Sequence, residues 1–404
     1  MEIVTGTYEE LLFGYTLVEE EGYSLLQTFT DHSHKGCIKC VAISDNKILV
    51  SGCTDESIHI YNLRTRKEHG TLEEHEGLRS LTRLEFFQNS HLFSTGEDGK
   101  LCVWKVAGWE VLRTFKGHKG AVNCVSIHPS GKMALTVGQD HTLKTWNLVT
   151  GRPAYTSNIK QVADLVLWSP SGDCYAVSSN NNISIYKVDD CKVCHKIQAA
   201  GRICALAFLT AEILAYAGDG GIIFFYDVVN GKELYQITTD TNRIRGLSIS
   251  LSHTHPDSGS LWLTSVSSDG YINVYSIQVE EGAVTSQLLV SHKTKFRLTC
   301  VATSRPTKNQ SDKSTEETSK TAVKTKKQMF KTSGREHDEE NQTLDLALSE
   351  QKPKKSAKND KNVKKRKAIS EQDSCSKKAK KLIKHKEPSK NRIKKKKARS
   401  EKKK

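Results

Sequence analysis

His118, Thr136 and Asp140 place an imidazole, a hydroxyl and a carboxylate within one short stretch, GHKGAVNCVSIHPSGKMALTVGQDHTLKTW. These are the group types of an acyl-transfer triad, in which the imidazole takes a proton from the nucleophile and the carboxylate orients the ring. Two observations argue against that chemistry. No G-x-S-x-G elbow, P-loop or H-E-x-x-H accompanies the set. The same order of groups also recurs upstream as His75, Ser94 and Asp98, and again as His34, Ser51 and Asp55. A constellation that repeats along a chain belongs to its architecture, so no catalytic residue is assigned.

Cysteine chemistry fares no better. Cys191-Lys192-Val193-Cys194-His195 matches the C-x-x-C-H of haem attachment, and Cys37-x-x-Cys40 forms a second pair. A structural zinc site needs four convergent ligands, and these pairs fall in separate repeats. Placed on strands, residues i and i+3 face opposite ways. The eleven cysteines are an odd number scattered through the chain, and no signal sequence precedes them, which fits free thiols in a reducing compartment. The expectation is that the chain holds no metal and no cofactor.

The elements that carry the recurring set repeat with a period of about 42 residues, and such a period marks an array. Aromatic residues close a short apolar run in six units: Tyr61, Trp104, Trp146, Tyr186, Tyr226 and Tyr275. Runs such as Ile58-His59-Ile60-Tyr61 and Ile183-Ser184-Ile185-Tyr186 alternate with period two and predict half-buried strands. With Gly117-His118 early and Trp146-Asn147 late, the unit resembles the WD40 repeat. The resemblance implies an all-β propeller whose blades are four-stranded antiparallel sheets, each stable only beside its neighbours.

The ends complete the count. Ile3 to Tyr15 aligns with Leu49 to Tyr61, so the chain opens on the second and third strands of a blade. Its missing first strand is Arg297-Leu298-Thr299-Cys300-Val301-Ala302. The reading is a seven-bladed ring closed by pairing the two ends of a domain spanning 1–304, which removes exposed sheet edges. The resemblance further implies a buried relay of His, Ser or Thr, Asp and Trp in each full repeat. It falls on His118, Thr136, Asp140 and Trp146, and on His75, Ser94, Asp98 and Trp104. In His34, Ser51 and Asp55 it lacks the indole, since Tyr61 replaces Trp. In the sixth unit it retains Ser265 and Asp269, with Asp240 where a His would stand. The fourth unit has Asn180-Asn181-Asn182 in place of the Asp, and in the fifth Asp219 is displaced by one residue. Leu251 to Gly259 reads as an insertion between the first two strands of blade six.

Charge divides the chain sharply. From Arg305 onward there are 34 Lys and Arg against 14 Asp and Glu, whereas the preceding 304 residues carry 27 against 32. A domain of net −5 thus precedes a tail of net +20. The tail, 305–404, is almost free of aromatic residues and is expected to be disordered. Lys364, Lys365, Arg366 and Lys367 precede Lys377, Lys378, Lys380 and Lys381, a spacing that looks like a bipartite nuclear import signal read by importin. Such clusters also bind phosphate backbones without reading bases, which suits rRNA-rich surroundings. Ser370 followed by Glu371 and Asp373 is a candidate phosphorylation site whose phosphate would subtract charge between the clusters. No run of 18 apolar residues is present, so no span or membrane partner is expected.

The propeller resembles the p21-activated protein kinase-interacting protein 1 family more closely than WD40 proteins at large. Tyr8-Glu9, Leu12-Phe13-Gly14, Asp55 to Tyr61, Lys67-Glu68-His69-Gly70, Ile127 to Lys132, Asn158-Ile159-Lys160-Gln161 and Trp168-Ser169-Pro170 carry the likeness. The resemblance implies a non-catalytic scaffold in nucleolar assembly of the large (60S) ribosomal subunit and pre-rRNA processing. It also implies binding to, and negative regulation of, the regulatory region of p21-activated kinase. A monomer in the nucleus and nucleolus that meets pre-60S proteins is therefore expected, the competing reading being a cytosolic adaptor that restrains the kinase. The tail favours the scaffold, because an adaptor has no need of so much positive charge.

Overall fold

The computed structural model describes residues 1–304 apart from 46, 76–79, 190, 252–259 and 281. The import clusters, Ser370 and all but Leu251 of the blade-six insertion lie outside the described residues. The described residues form seven antiparallel four-stranded sheets and no helix, hence none long and apolar enough to cross a membrane. Blade 1 shows the plan: β4 (Ile38–Ile43), β5 (Ile48–Cys53), β6 (Ile58–Asn62) and β7 (Lys67–Leu72) pair in sequence order. The first strands of successive blades touch one another around a ring. Blade 7 is composite. The last strand, Leu298–Thr303, pairs with β1 (Glu2–Thr7), which continues into β2 (Leu12–Glu19) and β3 (Tyr23–Asp31).

The apolar core is divided among the seams between blades. Seven clusters of buried side chains each join one blade to the next. Val50, Ile58 and Leu72 of blade 1, for example, meet Leu81, Leu92 and Trp104 of blade 2. This explains a departure from the alternation read in the sequence. Ile58, His59, Ile60 and Tyr61 are all buried, and so is every residue from Leu49 to Cys53, because each blade is covered on both faces by a neighbour. Outer strands such as β7 are exposed over most of their length. The third strand of blade 6 also differs from expectation, running past Tyr275 to Glu280.

The recurring aromatic of each third strand marks a bulge. In all seven blades the pairing of third and fourth strands shifts register at that position: Tyr15, Tyr61, Trp104, Trp146, Tyr186, Tyr226 and Tyr275. An extra residue bends and twists the strand, freeing the outer strand to curve while the ring stays in the seam.

Closure joins residues about three hundred positions apart. Val4 pairs with Ala302 and Gly6 with Cys300. Ser304 donates its amide to the Glu2 carbonyl at 2.8 Å, and Lys47 of blade 1 donates to its hydroxyl at 2.8 Å. Gly6 allows the close approach, since a Cβ there would lie 2.5 Å from Ile38 Cγ2 and 2.7 Å from Cys300 Sγ. A chain ending at Ser304 should therefore unfold in one cooperative thermal transition. A chain ending at Arg297 leaves the edge of β1 unpaired and should lose that transition or aggregate. Equal melting of the two would show that closure contributes nothing.

Candidate interaction surface and the buried relays

In blade 3 the relay residues form one hydrogen-bonded chain. The Trp146 indole donates to Thr136 Oγ1 at 2.8 Å, and Thr136 Oγ1 stands 2.7 Å from His118 Nε2. The Asp140 carboxylate can only accept, so the imidazole carries its proton on Nδ1 and the threonine hydroxyl donates to Nε2. His118 Nδ1 lies 3.0 Å from Asp140 Oδ1. Asp140 also accepts from the Lys119 amide at 2.9 Å and the Thr142 hydroxyl at 2.7 Å. Blade 2 repeats the chain through Trp104, Ser94, His75 and Asp98, at 2.9, 2.9 and 3.1 Å. Thr136 and Ser94 are 0% exposed. A hydroxyl sealed in a seam and committed to two partners cannot reach a substrate, which removes the triad chemistry that these residue types allow.

Burial lowers the His118 imidazole from its ordinary value against the opposing pull of Asp140. Burial pushes the Asp140 carboxyl up, but the bonds from Thr142, the Lys119 amide and His118 outweigh it and bring it down to about 2. Asp98 is held down in the same sense, burial being outweighed by His75 and the Lys100 amide.

Blade 1 is wired differently. His34 Nε2 lies 2.6 Å from Ser51 Oγ, but its Nδ1 stands 3.7 Å from Asp55 Oδ2 and has no hydrogen-bond partner. Tyr61 turns its hydroxyl to Asp31 at 2.8 Å. The phenol thus finds an acceptor of its own, although the indole of the other blades is missing. His59, which the relay pattern does not include, packs 4.2 Å ring to ring against His34 and reaches Glu68 at 2.7 Å. Burial, and then the neighbouring His59, hold His34 down at about 4.

In the sixth blade, where Asp240 stands in the place of a histidine, Ser265 interacts with the Tyr275 phenol and Asp269 accepts from the Asn242 amide at 3.3 Å. The weak blades use contacts the motif does not announce. In blade 4, Asp164 accepts from Arg202 of blade 5 at 2.9 Å, Trp168 meets Tyr175 edge to face at 5.1 Å, and Tyr175 stacks on Tyr186 at 5.0 Å. In blade 5, the displaced Asp219 pairs with Arg243 of blade 6. These ion pairs join adjacent blades, and the paired residues have no fixed spacing that a repeat search would find.

A cavity of about 780 Å³ runs along the axis, lined by first strands of all seven blades. Six of those strands bulge at one level, and the skipped residues are Lys39, Thr82, Asn123, Cys204, Arg245 and Thr299. Three of them clamp the next blade. Thr82 donates to the Val122 carbonyl at 2.6 Å, Asn123 to Ala163 at 2.7 Å and Thr299 to Ile38 at 2.6 Å. Lys39 and Arg245 bring positive charge to the same level, where Arg297 lies over the exposed Tyr8 ring at 5.0 Å. This mouth, cationic and aromatic around a concave centre, is the candidate surface for a partner. Five thiols also line the cavity: Cys37, Cys40, Cys124, Cys204 and Cys300. Burial pushes all of them up, so they are protonated and poor nucleophiles at neutral pH. Cys37 and Cys191 stand in loops, not on strands as the sequence implied, and the ten described cysteines are free.

Asp140→Ala should lower stability by about 1–3 kcal/mol, because buried donors lose their acceptor; an unchanged denaturant midpoint would refute the relay. The pH dependence follows from the sign of the shifts. An unfolded imidazole gains its proton near 6.5, which folded His118 resists. Its stability contribution is complete above that pH and lost as the pH falls below it. The Asp140 contribution persists to lower pH, falling away from 3.8 towards 2. His118→Gln should therefore flatten the decline in urea midpoint between about pH 7 and 5 relative to the unaltered protein.

A family model described as "WD domain, G-beta repeat" matches residues 23–62, 66–105 and 109–147. Each match begins in the outer strand of one blade and ends at the third strand of the next. A chain in the crystal structure of the mitotic checkpoint complex superposes with a TM-score of 0.56 at 16% identity, covering 66% of this chain and 81% of that one. It supports the fold alone. "p21-activated protein kinase-interacting protein 1-like" of Gallus gallus is 41% identical over 75% of this chain and 80% of its own length. "p21-activated protein kinase-interacting protein 1" of Homo sapiens is 36% identical over 74% and 76%. "Protein MAK11" of Saccharomyces cerevisiae is 29% identical over 69% and 78%. With WD40 repeats in sequence, a closed seven-bladed ring in structure, and identity spread across most of both chains, this chain belongs to the p21-activated protein kinase-interacting protein 1 family of WD40 proteins.

Proposed function

We propose that the chain is a non-catalytic WD40 scaffold in nucleolar assembly of the large ribosomal subunit and in pre-rRNA processing. The observation that carries this reading is the charge division at Ser304, a ring of net −5 followed by a tail of net +20. In this reading 1–304 is the partner-binding module and 305–404 is a disordered tail that importin reads. The tail's lysines then hold the protein among pre-60S proteins and rRNA by counterion release. Phosphorylation of Ser370 would weaken that hold by adding negative charge between the clusters. The ring contributes geometry without chemistry, offering the cationic mouth, the opposite face and the rim to different partners at once.

A second activity, binding and restraining p21-activated kinase through its regulatory region, rests on the names of the vertebrate relatives. It needs no different fold, only another face of the same ring.

Sedimentation of nuclear extract through sucrose gradients tests the first reading. Full-length protein should travel with large-subunit precursors at low salt. A chain ending at Ser304 and carrying a substitute import signal should shift towards the top, and raised salt should move the full-length protein the same way. Full-length protein that stays at the top at low salt would overturn the scaffold role and leave kinase binding as the function.

A further inference from the structure

The relay of blade 1 is broken at its carboxylate, and the break leaves a buried metal-ligating nitrogen without a partner. In blades 2 and 3 the proton order starts at an indole and ends with Nδ1–H on the aspartate. In blade 1, Tyr61 donates to Asp31, and His34 Nε2 lies 2.6 Å from Ser51 Oγ, which leaves Nδ1 as the second ring nitrogen. That nitrogen is unpartnered on a side chain 1% exposed, and it faces Asp55 Oδ2 at 3.7 Å. The corresponding nitrogens of His75 and His118 sit 3.1 and 3.0 Å from their aspartates. A cation standing between that nitrogen and the carboxylate would satisfy both.

The third member of the group is His59. Its Nδ1 lies 2.7 Å from Glu68 Oε1, so the carboxylate accepts Nδ1–H and the lone pair is on Nε2. A carboxylate behind an imidazole in this way is how metal-binding histidines are oriented. One donor atom from each of His34, Asp55 and His59 lies within 4.8 Å of the others. Four-coordinate zinc, with bonds of about 2.0–2.2 Å, separates its ligands by roughly 3.3–3.6 Å. The group needs to close by about an ångström. Asp55 Oδ1 is held by the Ser57 hydroxyl at 2.6 Å, and Oδ2, which accepts the Lys35 amide at 3.1 Å, faces His34. The Asp55 side chain is 20% exposed, giving an ion a path from solvent and a place for water as fourth ligand. At the level of His59 the second and third blades carry Cys102 and Lys144, so the set is peculiar to blade 1.

We propose that His34 Nδ1, Asp55 Oδ2 and His59 Nε2 form a structural binding site for a divalent transition ion of the zinc class. Two imidazoles and one carboxylate suit such ions and not calcium or magnesium, which take oxygen ligands. Bound there, the ion would join the loop entering blade 1, the turn after β5 and strand β6, taking the place of the missing indole relay.

The test is zinc titration of the full-length protein by calorimetry, with cobalt(II) as a spectroscopic probe. A control Cys191→Ser/Cys194→Ser protein removes the thiols of that C-x-x-C pair, which adjoins His195, as a competing cluster. One equivalent should bind both to the unaltered protein and to this control, with the visible absorption of four-coordinate cobalt. His59→Gln should lose that equivalent, and Asp55→Asn should bind at least tenfold more weakly. Should either variant fail to fold, imidazole 15N spectra of the unaltered protein decide, since one equivalent of zinc should shift the ring signals of two histidines. Full binding by folded His59→Gln, loss of the equivalent in the cysteine variant, or unmoved histidine signals would each overturn the site.

Discussion

Pairing of β1 with the last strand is the interaction on which the rest of the ring depends. A blade buries both faces, so its stability resides in its two seams. An open array of this kind leaves two faces bare, one at each end, together with the apolar side chains meant to fill the last seam. Closure converts those ends into a further cluster, in which Ile3, Phe13 and Tyr15 meet Trp262, Val266 and Val274. Because the composite blade takes strands from both ends of the domain, every other seam is held at a fixed angle by the completion of this one. The Thr299 bond to Ile38 and the Lys47 bond to Ser304 tie blade 7 to blade 1 with polar contacts as well.

Within that frame the blades are stabilised by different means. Blades 2 and 3 hold their loops with a four-residue chain that runs from an indole to a carboxylate. Blade 1 keeps the histidine and serine, but its phenol turns to Asp31 and its histidine stands off from Asp55. Blades 4 to 6 dispense with the histidine and rely on arginine–aspartate pairs across seams and on stacked aromatic rings. The cross-seam pairs stand on a solvated surface, where an ion pair contributes at most about 1 kcal/mol, so these blades owe most of their order to apolar seams.

The sequence made the repeat legible because the recurring aromatic of each third strand and the aspartate before it are local features, set by one hairpin. The composite blade was equally legible, since Ile3 to Tyr15 copies the pattern of Leu49 to Tyr61. What could not be read are contacts between blades. Asp164 with Arg202, Asp219 with Arg243 and Thr82 with the Val122 carbonyl join residues whose separation no motif specifies. The alternation of strands was misread for a related reason: a strand with neighbours on both faces has no solvent side, so the polar residues in the pattern, such as His59 and Ser51, are buried too. Ser265 and Asp269 match the relay by position, with no imidazole between them.

Closure also sets a schedule for biosynthesis. β1 is made long before the last strand, and although it pairs with β2 on one edge, its other edge has no partner until the chain has been extended through Thr303. For that whole interval one strand edge stands unpaired on an incomplete ring. The hundred residues after Ser304 change how this exposure ends. At synthesis rates of about 5–20 residues per second they take roughly 5–20 s to add. During that time the final strand emerges and can find β1 while the nascent chain is still tethered and separated from other copies. A polar, highly charged stretch is well suited to that delay, since it offers the waiting edge no competing apolar segment.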